Sequence, residues 1–143
     1  MWLFFHGNGE IIDQHLESFT AVRALGLHVF LLELPGYAGA DGVHLPCVQL
    51  MQLEARPDLP LVAASCHNAP ELARTAALEL DFAVLGPVRE SLSHPGLSGL
   101  GWERLAHLLE NISLPVFALG GLRREDLETA QRTGAHGIAA IRT

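Results

Sequence analysis

Four short stretches place groups with chemical potential at the ends of apolar runs. In "FALGGLRRED", Phe117 to Asp126, an apolar run meets Gly120-Gly121 and then a helical pattern. Glycines let backbone approach an oxyanion closely, and a helix N-terminus offers unbonded N–H groups at the positive end of its dipole. That combination suits phosphate, and Arg142 at the end of the last run, after Ile141, adds a cation. A tight turn without a ligand would use the same glycines. In "LGPVRESLSHPGLSG", Leu85 to Gly99, Ser91, Ser93 and His94 could donate to a phosphate or pyrophosphate. The same Ser, Pro and Gly residues also suit a plain solvated loop.

The third stretch is "AASCHNAPE", Ala63 to Glu71. Ser65, Cys66 and His67 fall at a strand end, and His67 could exchange protons near neutral pH. A Cys66–His67 thiolate pair is disfavoured, because neighbours along a strand point to opposite faces. No regularly spaced Cys/His cluster marks a metal site, so none is expected. The fourth stretch, "FFHGNGE", could turn backbone N–H groups toward an oxyanion, but such a hole needs a nucleophile. The elbow G-x-S-x-G is absent, and "GLSGL" at Gly96–Leu100 lacks the second glycine.

Positioning these groups requires strands. Continuous short apolar runs at Trp2–His6, Val29–Glu33, Val43–Leu45, Leu61–Ser65, Phe82–Leu85, Val116–Leu119 and Gly137–Ile141 predict about seven of them, buried on both faces. Helical patterns fill the gaps. Ile12, Leu16, Phe19 and Leu25 share a face before Gly26; Asn68 can cap a helix with Glu71 as capping-box partner. Trp102, Leu105, Leu108, Leu109 and Ile112 make another face, Arg123–Thr133 a last helix closed by Gly134, and Cys47–Ala55 a shorter one. Strand–helix alternation predicts βα units in a mostly parallel sheet within a single domain, 1–143. The sheet could close toward a (βα) barrel or stay open as a three-layer Rossmann- or flavodoxin-like sheet. In either form ligands gather at the C-terminal strand ends.

The chain has 143 residues, 49% hydrophobic and 17% charged, with a net charge of −7. The nine Lys and Arg residues are scattered, so no basic stripe meets a nucleic-acid backbone. No apolar run approaches the roughly 20 residues of a membrane span. Two cysteines do not make a disulfide framework, and a reducing cytoplasm is expected.

From about Asp41 onward the chain resembles the thiamine phosphate synthase family, and more narrowly the synthase-like domain that follows a Nudix domain in some MutT-type proteins. The marks, in family order, are "GVHLP", "LVAASCH", "DFAVLGPV", "SHPG", "GLGWERL", "PVFALGGL" and "GAHGIAAIR". The resemblance implies a (βα)8 barrel binding phosphorylated thiazole and pyrimidine-pyrophosphate ligands, with magnesium. It implies that Ser65 contacts pyrophosphate, that Gly86 opens the ligand loop, and that Gly120 and Gly121 hold phosphate. Ser91 and Ser93 stand where the family has loop threonines, His94 where it has a lysine, and His67 where thiazole tautomerases have a catalytic histidine. Acidic metal ligands are replaced by "LLELPGY" and "PCVQL", so the magnesium site is expected to be lost and no cofactor is expected. Glu79 stands where the family ends a helix with glycine.

Residues 1–42 resemble instead the strand–helix–strand of serine α/β-hydrolases, through "LFFHGNGE" and "VFLLELPGYAGADG". Ala40-Asp41-Gly42 suits both parents. The expectation is an artificial chimera joined there, with an incomplete barrel of about seven strands and no evolved activity. Synthase- or tautomerase-like phosphate-ligand binding or catalysis is the alternative. An unclosed barrel would expose strand edges, so a homodimer is expected.

Overall fold

The structure, a computed structural model, describes residues 42–90, 96 and 98–140, with the backbone of residues 2–4. Its elements are β1 (Trp2–Phe4), β2 (Gly42–Leu45), α1 (Cys47–Gln52), β3 (Leu61–Cys66), α2 (Ala69–Ala77), β4 (Phe82–Leu85), α3 (Gly101–Leu109), β5 (Val116–Leu119), a 3-10 turn (Arg124–Asp126), α4 (Leu127–Arg132) and β6 (Gly137–Ala140). The predicted runs for β4 and β5 match residue for residue. The predicted strand at Val29–Glu33 and the helix through Ile12–Leu25 lie outside the described residues.

All described pairings are parallel, and the strand order is β1-β6-β5-β4-β3-β2. From β2 to β6 each strand lies beside its predecessor, so the sheet winds in one direction. A doubly wound sheet would reverse at a switch point.

The two faces differ. One carries Val43, Leu45, Val62, Ala64, Cys66, Ala83, Leu85, Val116, Ala118 and Ile138, packed against Leu50 of α1, Leu72 of α2, Leu105 and Leu109 of α3 and Ala130 of α4. Fully buried leucines such as Leu50, Leu72 and Leu105 each contribute roughly 1.5–3 kcal/mol. The other face is smaller and made of strand residues alone: Ala63, Phe82, Val84, Phe117 and Ala139, with Leu61 and Leu119 at its margins. Helices on a single face of a one-way sheet are the barrel arrangement, not the three-layer one.

Local details explain the registers. Asn68 Oδ1 accepts from Glu71 N at 3.0 Å, so the predicted N-cap of α2 forms. Leu78 ends α2, and Glu79 follows with φ of +53°, a left-handed conformation that favours glycine. A glutamate thus holds here a conformation that glycine adopts without strain.

Asp81 then ties the starts of β3 and β4. Its N–H donates to Val62 O at 2.8 Å, while its Oδ2 accepts from Val62 N at 2.6 Å and from Arg56 at 2.8 Å. Burial alone would raise its pKa, but the Val62 N–H and Arg56 together hold it below the ordinary 3.8. The stabilisation is therefore fully present above pH 3.8 and lost as pH falls through the lower folded value. Asp81→Ala is expected to cost about 1–2 kcal/mol at neutral pH and to flatten the acid limb of stability, read by urea unfolding at several pH values.

Candidate functional site

The C-terminal ends of β3, β4 and β5 are stitched into one rim. Gly86, the residue after β4, donates its N–H to Cys66 O at 3.1 Å. A Cβ on Gly86 would stand 2.2 Å from Leu119 O, so only glycine lets the chain pass there. Two residues later Val88 N donates to Leu119 O at 2.7 Å, and Arg89 N to Gly120 O at 3.1 Å. Gly120 has φ of +104°, and a Cβ on it would meet Pro87 Cα at 2.6 Å. Three predicted positions, Ser65, Gly86 and Gly120-Gly121, are thus brought together on adjacent strands. The glycines serve this backbone contact whether or not a ligand is bound.

Arg89 ties the rim to the turn after β5. Its guanidinium holds Asp126 through two contacts, at 2.8 and 3.1 Å, and lies 5.6 Å from the Trp102 ring centroid. Asp126 in turn accepts from Arg123 N at 2.9 Å. The loop after β4 is thereby pinned to the turn that follows Gly121. Sequence reasoning missed Arg89, because its partner lies 37 residues away and no local pattern joins them.

A polar pair interrupts the apolar inner face. His44 Nε2 lies 2.7 Å from Ser65 Oγ, and the His44 ring tilts toward Phe82, which meets Phe117 edge-on. Burial lowers the His44 pKa from 6.5 to about 4, so the imidazole is neutral at physiological pH. In the sequence His44 stands out only as part of the strand motif "GVHLP". Its alternation with Val43 and Leu45, both on the helix-covered face, is the signal that could have turned it inward.

His67 stands just beyond β3, its side chain half exposed. Its Nδ1 lies 3.0 Å from Glu71 Oε2, which also accepts from His67 N at 2.6 Å. Asn68 Nδ2 donates to Glu71 Oε1 at 3.0 Å. Cys66 faces the helices, as strand alternation predicts. Thr75 Oγ1 donates to Glu71 O at 2.9 Å, so the 3.2 Å contact between Cys66 and Thr75 must use the thiol hydrogen. Burial pushes the Cys66 thiol up to about 11. Cys66 is an inert structural thiol. Ser91, Ser93, His94 and Arg142 lie outside the described residues.

The thiamine monophosphate synthase family model matches residues 31–143. The chain belongs to the thiamine monophosphate synthase family. It is 34% identical over 125 residues to the thiamine-phosphate synthase of Thermus thermophilus, covering 84% of this chain and 61% of that one. It is 37% identical over 108 residues to the thiamine-phosphate synthase of Gloeobacter violaceus, covering 73% of this chain and 31% of the relative. A solved structure of thiamine phosphate pyrophosphorylase from Pyrococcus furiosus aligns over 98% of this chain and 72% of its own, with a TM-score of 0.68 at 22% identity. That likeness shows the barrel-like fold. The chain spans between about three-tenths and six-tenths of the length of these curated relatives.

These matches overturn the chimera. The synthase family match begins at residue 31 and runs through Ala40-Asp41-Gly42 without a break. The supposed seam is interior to one family, and "LLELPGYAGADG" is synthase-family sequence rather than the end of a hydrolase fragment. With the seam goes the expectation of a protein without evolved activity. The magnesium that the resemblance implies is a separate matter. After β2 come Pro46, Cys47, Val48 and Gln49, with no carboxylate, and the side chains that converge nearby are Cys47, His67 and Glu71. Magnesium takes oxygen donors in near-octahedral geometry, so a thiol and an imidazole do not fit it. Among the described residues no helix is long and apolar enough to cross a membrane.

A His44 kept neutral by burial makes the fold acid-sensitive in a defined window. Its contribution is whole above pH 6.5 and lost progressively between 6.5 and about 4, where the unfolded chain binds a proton that the folded one refuses. His44→Gln is expected to flatten the stability curve within that window, measured by denaturant unfolding from about pH 4 to about pH 8.

Proposed function

We propose that this chain binds a small phosphorylated ligand at the C-terminal rim of β3, β4 and β5, within synthase- or tautomerase-like chemistry. The observation that carries the reading is the juxtaposition of Ser65, Gly86 and Gly120-Gly121 on three adjacent strands. The names of its relatives, thiamine-phosphate synthases, support a phosphorylated ligand class. Backbone N–H groups of the Gly120-Gly121 turn would meet phosphate oxygens. In the tautomer with its proton on Nε2, neutral His44 donates to Ser65 Oγ and leaves the serine hydroxyl hydrogen for the ligand. Ser91, Ser93, His94 and Arg142 would complete the anion's surroundings.

A ¹⁵N-labelled sample titrated with inorganic pyrophosphate is expected to show amide shifts at Gly120 and Gly121, with affinity about tenfold weaker in Ser65→Ala. Unmoved glycine amides at saturating pyrophosphate would overturn the reading.

A second reading is favoured by the Glu71 contact at His67 Nδ1. That contact orients the ring and leaves Nε2 for proton transfer, as in a thiazole tautomerase. His67→Ala is expected to reduce turnover of a phosphorylated thiazole about 100-fold in a steady-state assay. An undiminished rate would exclude it.

A further inference from the structure

We propose that Cys47, His67 and Glu71 bind a thiophilic divalent cation of the zinc class at the C-terminal ends of β2 and β3. The three come from separate places in the chain. Cys47 opens α1 two residues after β2, His67 follows β3, and Glu71 lies in the first turn of α2. One ligand atom from each lies within 4.8 Å of the other two. Glu71 and His67 have ordinary reasons to meet, as a capping residue and an ion pair. Neither reason accounts for a partly exposed thiol beside them.

The donor set selects the metal. Thiolate, imidazole and carboxylate are the ligands of zinc and its neighbours, at roughly 2.3, 2.0 and 2.1 Å respectively. Donors on one tetrahedral ion of those bond lengths stand roughly 3.3–3.6 Å apart. The trio therefore needs to draw in by at most about 1.5 Å at its widest pair. The side chains that must move are free to do so. The His67 side chain is 50% exposed, and Cys47 is partly exposed at the start of a helix with no side-chain cap. Glu71 is the fixed member, only 14% exposed and held by Asn68 and the His67 backbone. Outer bonds of this kind orient a ligating carboxylate. Three protein donors leave a fourth position for water or a ligand oxygen, as at catalytic rather than structural zinc sites. The site rests on these three side chains alone; it stands apart from the phosphate reading and competes with the tautomerase reading, because it takes His67 and Glu71 as ligands.

The test uses the reduced, metal-free chain titrated with Co²⁺ alone. One equivalent is expected to bind with a thiolate-to-cobalt charge-transfer band and the intense visible bands of four-coordination. Zn²⁺ should displace it, and millimolar Mg²⁺ should not. Cys47→Ser should lose the charge-transfer band, and His67→Gln should weaken binding about tenfold or more. Cys66→Ala should keep both. Absence of the band in the parent chain, or its survival in Cys47→Ser, overturns the site. Should Cys47→Ser fail to fold, the parent decides: a Cys47 ¹³Cβ resonance that moves downfield with zinc supports the site, and one that stays in place overturns it.

Discussion

The backbone after β4 lies directly against the backbone after β5, with no room for a side chain between them. Gly86 passes Leu119 O, and Gly120 passes Pro87, at distances no Cβ could occupy. The same segment is held from its other side, where Leu100 N and Gly101 N donate to Pro87 O and Val88 O at 2.8 and 2.9 Å. A Cβ on Gly99 would stand 2.2 Å from Val88 O. Residues 86–90 are thus an extra layer of backbone clamped across the rim, and the relative heights of β3, β4 and β5 follow from it. Main-chain hydrogen bonds made at such close range tolerate little displacement, so the rim holds its shape before any ligand arrives.

Polarity on the sheet is divided with the same economy. The face against the helices is aliphatic, and its buried polar side chain is Thr75, satisfied by Glu71 O and by the Cys66 thiol. The inner face carries a row of rings from His44 through Phe82 to Phe117, with centroid separations of 6.5 and 5.6 Å, and the exposed His136, just before β6, meets Phe117 at 6.1 Å. Ser65 is the hydroxyl set beside that row. A buried neutral imidazole and a serine cost little when they bond each other, whereas either alone would carry an unmet polar group.

Much of the fold was legible because buried parallel strands are continuous apolar runs between sharp punctuation. Phe82–Leu85 and Val116–Leu119 could be bounded to the residue for that reason. The cap at Asn68 and Glu71 was legible because its chemistry is local. What failed was attribution. "VFLLELPGYAGADG" reads as a buried strand followed by a glycine-rich turn, and physics asks much the same of that passage in a hydrolase as in a barrel. Only a pattern spread over residues 31 to 143 separates the two. For the candidate site, Ser65 and Gly120-Gly121 stand out by their types at strand ends, and Gly86 only through the synthase resemblance. Arg89, His44 and Cys47 were not, because each takes its meaning from a partner 21 to 37 residues away, or from a neighbour that only the folded sheet supplies.

The one-way winding has a bearing on how the chain reaches this state. Each of β2 to β5 hydrogen-bonds to the next strand in the sequence, across a single intervening connection. Ordering one βα unit therefore presents a ready edge to the next, and the loop to be closed at each step is short, which keeps its entropic cost small. The pairing of β1 with β6 is different in kind, since it brings residues 2–4 to residues 138–140. That contact spans nearly the whole chain, and its natural place is last, laid onto an edge that the other strands have already built.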